Sequence, residues 1–144
     1  MRARFAILLS LVAGCAVAPR SDVRVTTAAE LGAELGRAGW TVRPAALLTP
    51  IGLASTGTAY TAELVGPGRT LLVFDTTVDG EPMASDRVDA DVAQLRRAFA
   101  GEGAVVYRRP RLVVVTFGRV RDALDDRLER WLGAPVAARP ESGA

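Results

Sequence analysis

The sequence predicts an α+β fold, in which a mostly antiparallel sheet of about five strands packs against three helices. Two pairs of apolar runs are each joined by a short turn that contains proline with glycine or arginine, which predicts two hairpins and therefore antiparallel neighbours. A further short strand completes the five. Three longer segments repeat apolar residues every three or four positions, which is typical of helices with one buried face.

Composition limits the domain count and the functional class. The chain has 144 residues, of which 49% are hydrophobic and 24% charged, so we expect a single globular domain, at residues 25–133. Its 18 basic and 16 acidic residues become equal in number once Arg2 and Arg4 of the export signal are set aside. A neutral domain argues against nucleic-acid binding, which requires surplus cations. Histidine, the commonest general base, is absent, and this disfavours an enzyme.

The opening of the chain has the order of a bacterial export signal that ends in a lipidation site. Arg2 and Arg4 precede an apolar run at residues 5–12, small residues follow, and Cys15 is the only cysteine of the chain. This order resembles the lipobox of bacterial lipoproteins, in which the cysteine carries diacylglycerol and becomes the new N-terminus. The interpretation divides the start into a signal at residues 1–14 and a lipidated N-terminus with a short tether at residues 15–24.

Two other interpretations of this opening are weaker. An apolar run of eight residues is too short for a transmembrane helix, which needs about 20. Ordinary secretory cleavage after residues 16–18 fits the small side chains, but Pro19 would then follow the scissile bond. A lone cysteine in an exported protein cannot form an internal disulfide, and lipidation explains its presence.

The first predicted helix begins at Thr27. Thr27 and Glu30 have the spacing of a capping box, Leu31 and Leu35 fall on one face, and Gly39 ends the helix.

The first strands follow this helix. A short strand is predicted at residues 40–43, and Pro44 is expected to end it. Residues 45–57 are expected to form an irregular segment or a recognition loop. A Gly-Pro-Gly turn then joins residues 58–64 to residues 70–76 in the first hairpin.

The second half of the chain repeats the order of helix and hairpin. The second helix begins near Ser85 or Asp86, because either side chain is able to cap it. The second hairpin joins residues 104–108 to residues 112–117, and the consecutive apolar residues of the latter predict a central strand covered on both faces. The apolar stripe of the second helix consists of Val88, Val92, Leu95 and Phe99.

The third helix is predicted at residues 119–132, and it is closed by Gly133 and Pro135. The remaining residues, 134–144, are short, rich in alanine and proline, and expected to be disordered. The predicted buried face of the helix consists of Val120, Leu124, Leu128, Trp131 and Leu132.

Several stretches together resemble a group of small bacterial lipoproteins that share one plan. After the lipobox, the helix that ends in glycine is matched by residues 31–39, and the strand end Val-Phe-acid by residues 73–75. The block Tyr-Arg-Arg-x-x-Leu-Val-Val is matched by residues 107–114, and the final helix closes on Leu132-Gly133. The resemblance implies a lipid-anchored α+β domain and carries no activity. Since Ala16 stands where an aspartate marks retention in the inner membrane, it also implies the outer membrane in a host with two membranes.

An acidic loop after the first hairpin has the spacing of a calcium-binding loop. Asp75, Thr77 and Asp79 take positions 1, 3 and 5, Gly80 follows, and Asp86 takes position 12. The alternative is a solvated loop between a strand and a helix, which the sequence favours because Pro82 occupies a normally apolar position.

A basic turn is the second candidate for an interaction. Arg108, Arg109 and Arg111 lie beside Tyr107 and suit anionic lipid headgroups or an acidic partner. Three cations fall short of the usual lipid-binding cluster, so a solvated hairpin tip is the favoured alternative. Taken together, the residues predict a non-catalytic binding module, anchored by lipid to the extracytoplasmic face of a membrane and without a cofactor. A calcium- or small-ligand-binding envelope protein is the alternative.

Overall fold

The computed structural model describes residues 24–45, 53, 56–63, 69–118 and 120–136. Within these ranges it confirms the predicted α+β class. The elements in chain order are α1 (Ala28–Arg37), β1 (Thr41–Ala45), β2 (Thr56–Glu63), β3 (Arg69–Asp75), β4 (Thr77–Val78), β5 (Glu81–Pro82), α2 (Ser85–Ala98), β6 (Val105–Arg109), β7 (Leu112–Thr116) and α3 (Ala123–Leu132).

The main sheet has five antiparallel strands in the order β1-β2-β3-β7-β6. Both predicted hairpins are present, as the pairs β2–β3 and β6–β7. The two hairpins join through β3 and β7, where Val73 lies opposite Val114. The pairing therefore places β7 inside the sheet, between β3 and β6.

Alternation along the strands sends side chains into two separate cores, because successive residues of a strand point to opposite faces. Leu112 and Val114 of β7 pack in the core formed with α1 and α3, whereas Val113 and Val115 pack in the core formed with α2. All five residues of β7 are buried. The prediction of a central strand covered on both faces is thus confirmed, and the domain has helices on both sides of one sheet.

Helix α1 forms as predicted. The Thr27 hydroxyl accepts a hydrogen bond from the Glu30 amide (3.2 Å), and the Glu30 carboxylate accepts one from the Thr27 amide (3.2 Å). Leu31 and Leu35 are buried, and Gly39 follows the helix with a φ of 83°. This φ of Gly39 lies in the left-handed region that favours glycine.

The predicted start of α2 near Ser85 is confirmed, but its predicted cap and the predicted start of α3 are wrong. Helix α2 begins after Ala84, and neither Ser85 nor Asp86 caps it, because both lie inside its first turn. Helix α3 begins at Ala123 rather than four residues earlier. Its cap is Asp122, whose carboxylate accepts hydrogen bonds from the next helical amides. Val120 therefore lies outside the helix, is 77% exposed, and does not belong to the buried face.

The prediction that Pro44 ends the first strand is also wrong, since β1 continues to Ala45. In the sheet, β1 is an edge strand with β2 as its only strand neighbour in the described ranges. An edge position tolerates proline because one side of the strand needs no ladder hydrogen bonds.

Both described ends of the domain are bonded to the rest of the fold. The Val25 amide donates to the Trp131 carbonyl near the end of α3 (3.3 Å), and the Val25 side chain is buried. The Val136 amide donates to the Val106 carbonyl of β6 (2.8 Å). Of the tail expected at residues 134–144, the structure describes residues 134–136, and residues 137–144 lie outside the described residues.

Candidate functional site

The predicted lipidation site lies outside the described residues. Cys15, the signal and nearly all of the tether precede Arg24, where the description begins. The structure describes how the residues that follow are joined to the domain. Val25 packs in the core formed with α1 and α3, and its amide is bonded to the last turn of α3.

The acidic loop is a small β-ribbon in the structure. Strands β4 and β5 pair, with Thr77 opposite Pro82, and the turn between them is formed by Asp79 and Gly80. Both turn residues have positive φ values, 52° and 82°, as a type I′ turn requires. An Asp-Gly pair is a strong signal for this turn, so the sequence contained the information for a ribbon that was not predicted.

The first carboxylate of the predicted calcium loop is bonded within the loop. Asp75 Oδ1 accepts hydrogen bonds from the amide (3.0 Å) and the hydroxyl (2.7 Å) of Thr77. Asp79 lies in the turn, and Asp86 is an exposed residue in the first turn of α2. Across the described ranges, no three side chains of the types Asp, Glu, His or Cys are grouped so that they would hold a metal ion. The calcium site thus rests on sequence spacing alone and stays a prediction.

The structure separates the three arginines of the predicted basic turn. Arg108 points to the side of α2, where its guanidinium donates to Ser85 Oγ (2.7 Å) and forms an ion pair with Asp89 (2.9 Å). Arg109, the next residue of the same strand, points to the opposite side and donates to the Trp131 carbonyl of α3 (3.3 Å). Alternation along β6 therefore directs two of the three cations into contacts within the domain.

Arg111 is the exposed member of the three. The Arg111 carbonyl accepts a hydrogen bond from the Thr76 amide (3.1 Å), which joins the turn to the end of β3. The Arg111 side chain remains at the surface. Arg109 is partly buried, and its Nε atom is buried with no hydrogen-bond partner. The basic turn of the sequence is consequently not a continuous basic surface.

Arg69, at the start of β3, is hydrogen-bonded through its whole guanidinium. Its guanidinium donates twice to the Phe117 carbonyl, through Nε (3.0 Å) and Nη2 (2.8 Å). Nη1 donates to Asp122 Oδ1 (2.6 Å) and Asp125 Oδ2 (3.1 Å), and Nη2 donates to Asp125 Oδ1 (3.3 Å). These five bonds equal the number of N–H donors of a guanidinium, so every donor of the Arg69 side chain is bonded within the fold.

Asp125 is the buried acceptor at the centre of this network, with 3% exposure. Besides Arg69, its carboxylate accepts from the Asp122 amide (3.1 Å) and from the buried Thr116 hydroxyl (3.4 Å). Its backbone carbonyl accepts from the hydroxyl of Tyr107 (3.5 Å). We call Arg69, Thr116, Asp122 and Asp125 the Arg69 network.

Burial and the charges of the network change the acid–base behaviour of Arg69 and of the neighbouring Tyr107. Burial by itself would lower the pKa of Arg69, but the hydrogen bonds and negative charges of Asp125 and Asp122 outweigh it and raise that pKa. Burial, followed by the negative charges of Asp125 and Glu129, raises the pKa of Tyr107 to about 12. Arg69 thus stays charged and Tyr107 stays neutral at physiological pH.

The arrangement holds the start of α3 and the preceding loop against the sheet. Gly118 lies close to Arg69, and a Cβ atom there would come within 3.1 Å of Arg69 Nη2. Since the donors of Arg69 are bonded to protein atoms, the network is built for stabilising the fold rather than for binding an anion. One feature of the sequence could have indicated this network. Asp125 falls within the apolar stripe of α3, three residues before Leu128 and next to Leu124.

The comparisons with known proteins add no relationship. No protein-family model, curated protein or solved structure matched the chain. In the described ranges the longest helix has 14 residues, and no helix has the length and apolar character that crossing a membrane requires.

Proposed function

We propose that the protein is a lipid-anchored component of the bacterial cell envelope that acts by binding a partner and not by catalysis. The observation that carries the proposal is the order of the first 15 residues. Arg2 and Arg4 precede an apolar run, and the sequence Leu-Val-Ala-Gly then leads to Cys15, the only cysteine. In a host with two membranes, Ala16 after the cysteine directs the protein to the outer membrane.

The fold supports this division into anchor and domain. The first buried residue of the described structure is Val25, ten positions after Cys15. A short tether therefore leads directly into a packed core, as an anchored domain requires.

Among the described residues, the buried polar cluster around Arg69 offers no group for catalysis, which is compatible with the proposed binding role. The buried cluster around Arg69 is bonded to itself through five hydrogen bonds from one guanidinium. A catalytic acid or base must present an atom to the substrate, whereas these atoms are already paired within the fold. The partner is proposed to be another envelope protein.

Metabolic labelling with a radioactive fatty acid in a bacterial host tests the anchor. The wild-type protein is expected to incorporate label and to sediment with membranes, and Cys15→Ser is expected to lose both properties. The double variant Cys15→Ser, Ser21→Cys is the matched control, because it keeps one thiol but moves it further along the tether. Label in either variant, or an unlabelled wild-type protein in the soluble fraction, would contradict the proposal.

Crosslinking in intact cells tests the binding role. A bifunctional crosslinker is expected to join the wild-type protein to one reproducible envelope protein, which mass spectrometry identifies. Because the anchor brings the protein to its partner, Cys15→Ser is expected to lose the crosslink. Crosslinks that differ between repeats and match protein abundance would argue against a specific partner.

A further inference from the structure

Strand β6 is an edge of the main sheet, because β7 is its only strand neighbour in the described ranges. The tight turn of the β6–β7 hairpin fixes the direction of its backbone groups. Arg109 and Leu112 flank this turn and exchange hydrogen bonds, and every second residue before Arg109 likewise bonds to β7. The alternate residues Val106 and Arg108 therefore direct their backbone amides and carbonyls away from the sheet.

Such an edge is able to pair with another extended chain, and the residues of β6 are suited to pairing. Val105, Val106 and Tyr107 are consecutive, buried and of types that favour strands. Strand β6 contains neither proline nor glycine, whereas the opposite edge strand, β1, contains Pro44, which has no amide to donate. Of the two edges, β6 is thus the one that no proline within the strand protects.

The chain that follows α3 reaches this edge. The Val136 amide donates to the Val106 carbonyl (2.8 Å), which is one of the groups directed away from the sheet. Three residues earlier, Gly133 lies beside the Arg109 guanidinium, where a Cβ atom would come within 3.5 Å of Nη2. Residues 133–136 thus lead from the end of α3, beside Arg109, to the edge at Val106. We call Gly133–Val136 the edge segment.

The edge segment covers β6 without offering a complete new edge of its own, because Pro135 has no amide to donate. Its contact with β6 is shallow. Ala134 is exposed, Val136 is 48% exposed, and one backbone hydrogen bond joins the described segment to the strand. A segment held in this way opens at a much lower free energy than the buried strands beneath it.

We propose that the edge segment blocks pairing of β6 with a second copy of the chain, and that its removal joins two copies through this strand. A second copy fits the edge because β6 is complementary to itself. When two β6 strands lie antiparallel and centred on Tyr107, Val106 of each copy lies opposite Arg108 of the other. The outward amides and carbonyls then exchange about four hydrogen bonds around a two-fold axis, so the assembly closes at two chains. This pairing is independent of the proposed lipid anchor.

Two shortened forms of the chain give a matched test, one that ends at Val136 and one that ends at Gly133. Both lose residues 137–144, and only the second loses the bond to the Val106 carbonyl. Each form and the full-length protein are purified in nonionic detergent, and light scattering combined with absorbance measures the protein mass per particle. The form that ends at Gly133 is expected to have about twice the protein mass of the other two. Equal masses overturn the proposal.

Hydrogen exchange, measured by mass spectrometry, locates the contact. In the form that ends at Gly133, the amides of residues 104–109 are expected to exchange more slowly as the protein concentration rises, because pairing protects Val106 and Arg108. A doubled mass with unchanged exchange in β6 arises from another surface and overturns the proposal.

A second pair of variants serves if circular dichroism shows that the form ending at Gly133 does not fold. In the full-length chain, Val136→Pro removes only the donating amide and the side chain, and Val136→Ala is the control that keeps the amide. A protein mass of Val136→Pro about twice that of Val136→Ala supports the proposal, and equal masses overturn it.

Discussion

Substitution of Arg69 gives the most direct test of the physical account of the fold. Arg69→Met removes the guanidinium and leaves Asp125 buried with an uncompensated charge. Removal of one partner from a buried ion pair costs about 3–5 kcal/mol. Because domains of this size are stable by only about 5–15 kcal/mol, the variant is expected to lose at least about a fifth of its free energy of unfolding. Arg69→Lys keeps the positive charge but cannot place five donors, so an intermediate loss of about 1–3 kcal/mol is expected.

Urea unfolding, followed by tryptophan fluorescence, measures these losses. Both tryptophans, Trp40 and Trp131, are buried in the core beside α1 and α3, so their emission reports on this part of the fold. Arg121→Met is the matched control, because Arg121 is 58% exposed and pairs with two acidic side chains on the surface of α3. Exposed ion pairs contribute little, so its free energy of unfolding is expected to stay near the wild-type value. Equal stability of Arg69→Met and Arg121→Met would refute the account of the network.

Three further predictions follow from individual residues. Since burial raises the pKa of Tyr107 from 10.0 to about 12, the part of the stability that depends on the neutral phenol is expected to be fully present below pH 10 and to be lost as the pH rises to 12. Phenolate absorbance in a Tyr60→Phe variant isolates this titration, and a midpoint near 10 would contradict it. Helix α2 lacks a side-chain cap at Ala84, so Ala84→Asp is expected to raise the free energy of unfolding by about 0.5–2 kcal/mol in urea denaturation; an unchanged value would show that the amides are satisfied otherwise. Asp75→Ala removes two hydrogen bonds to Thr77 and is expected to lower the melting temperature equally with and without millimolar calcium, whereas a calcium-dependent rise that only the wild type shows would establish the calcium site.

Local patterns predicted those elements whose periodicity extends over several turns or residues. The capping box at Thr27 and the stripe of α2 gave correct helices, and the apolar run in β7 gave a correct central strand. The start of α3 was misplaced because Val120 fits the helical spacing as well as the buried residues do. The better signal was the pair Asp122 and Asp125, which forms the capping box that starts the helix.

Contacts between distant residues had no local signal. Nothing in the residue pattern of β3 or β7 specifies that the two hairpins join there, because the pattern of each strand is compatible with pairing to any apolar strand. The partner of Asp125 is 56 positions away in the chain, at Arg69. The sequence showed an acid in an apolar stripe, but only the pairing of β3 with β7 shows which cation neutralises it.

The contacts of the basic turn show how little its arginines would add to the membrane attachment that the proposed acyl chains provide. Of its three arginines, Arg108 is paired with Asp89 and Arg109 is bonded to the end of α3, which leaves Arg111 at the surface. One cation near an anionic membrane contributes about 1 kcal/mol, whereas each buried methylene of an acyl chain contributes about 0.8 kcal/mol. Two acyl chains therefore exceed the contribution of Arg111 by more than tenfold. If Cys15 is acylated, membrane attachment is expected to resist high salt, and extraction is expected to require detergent.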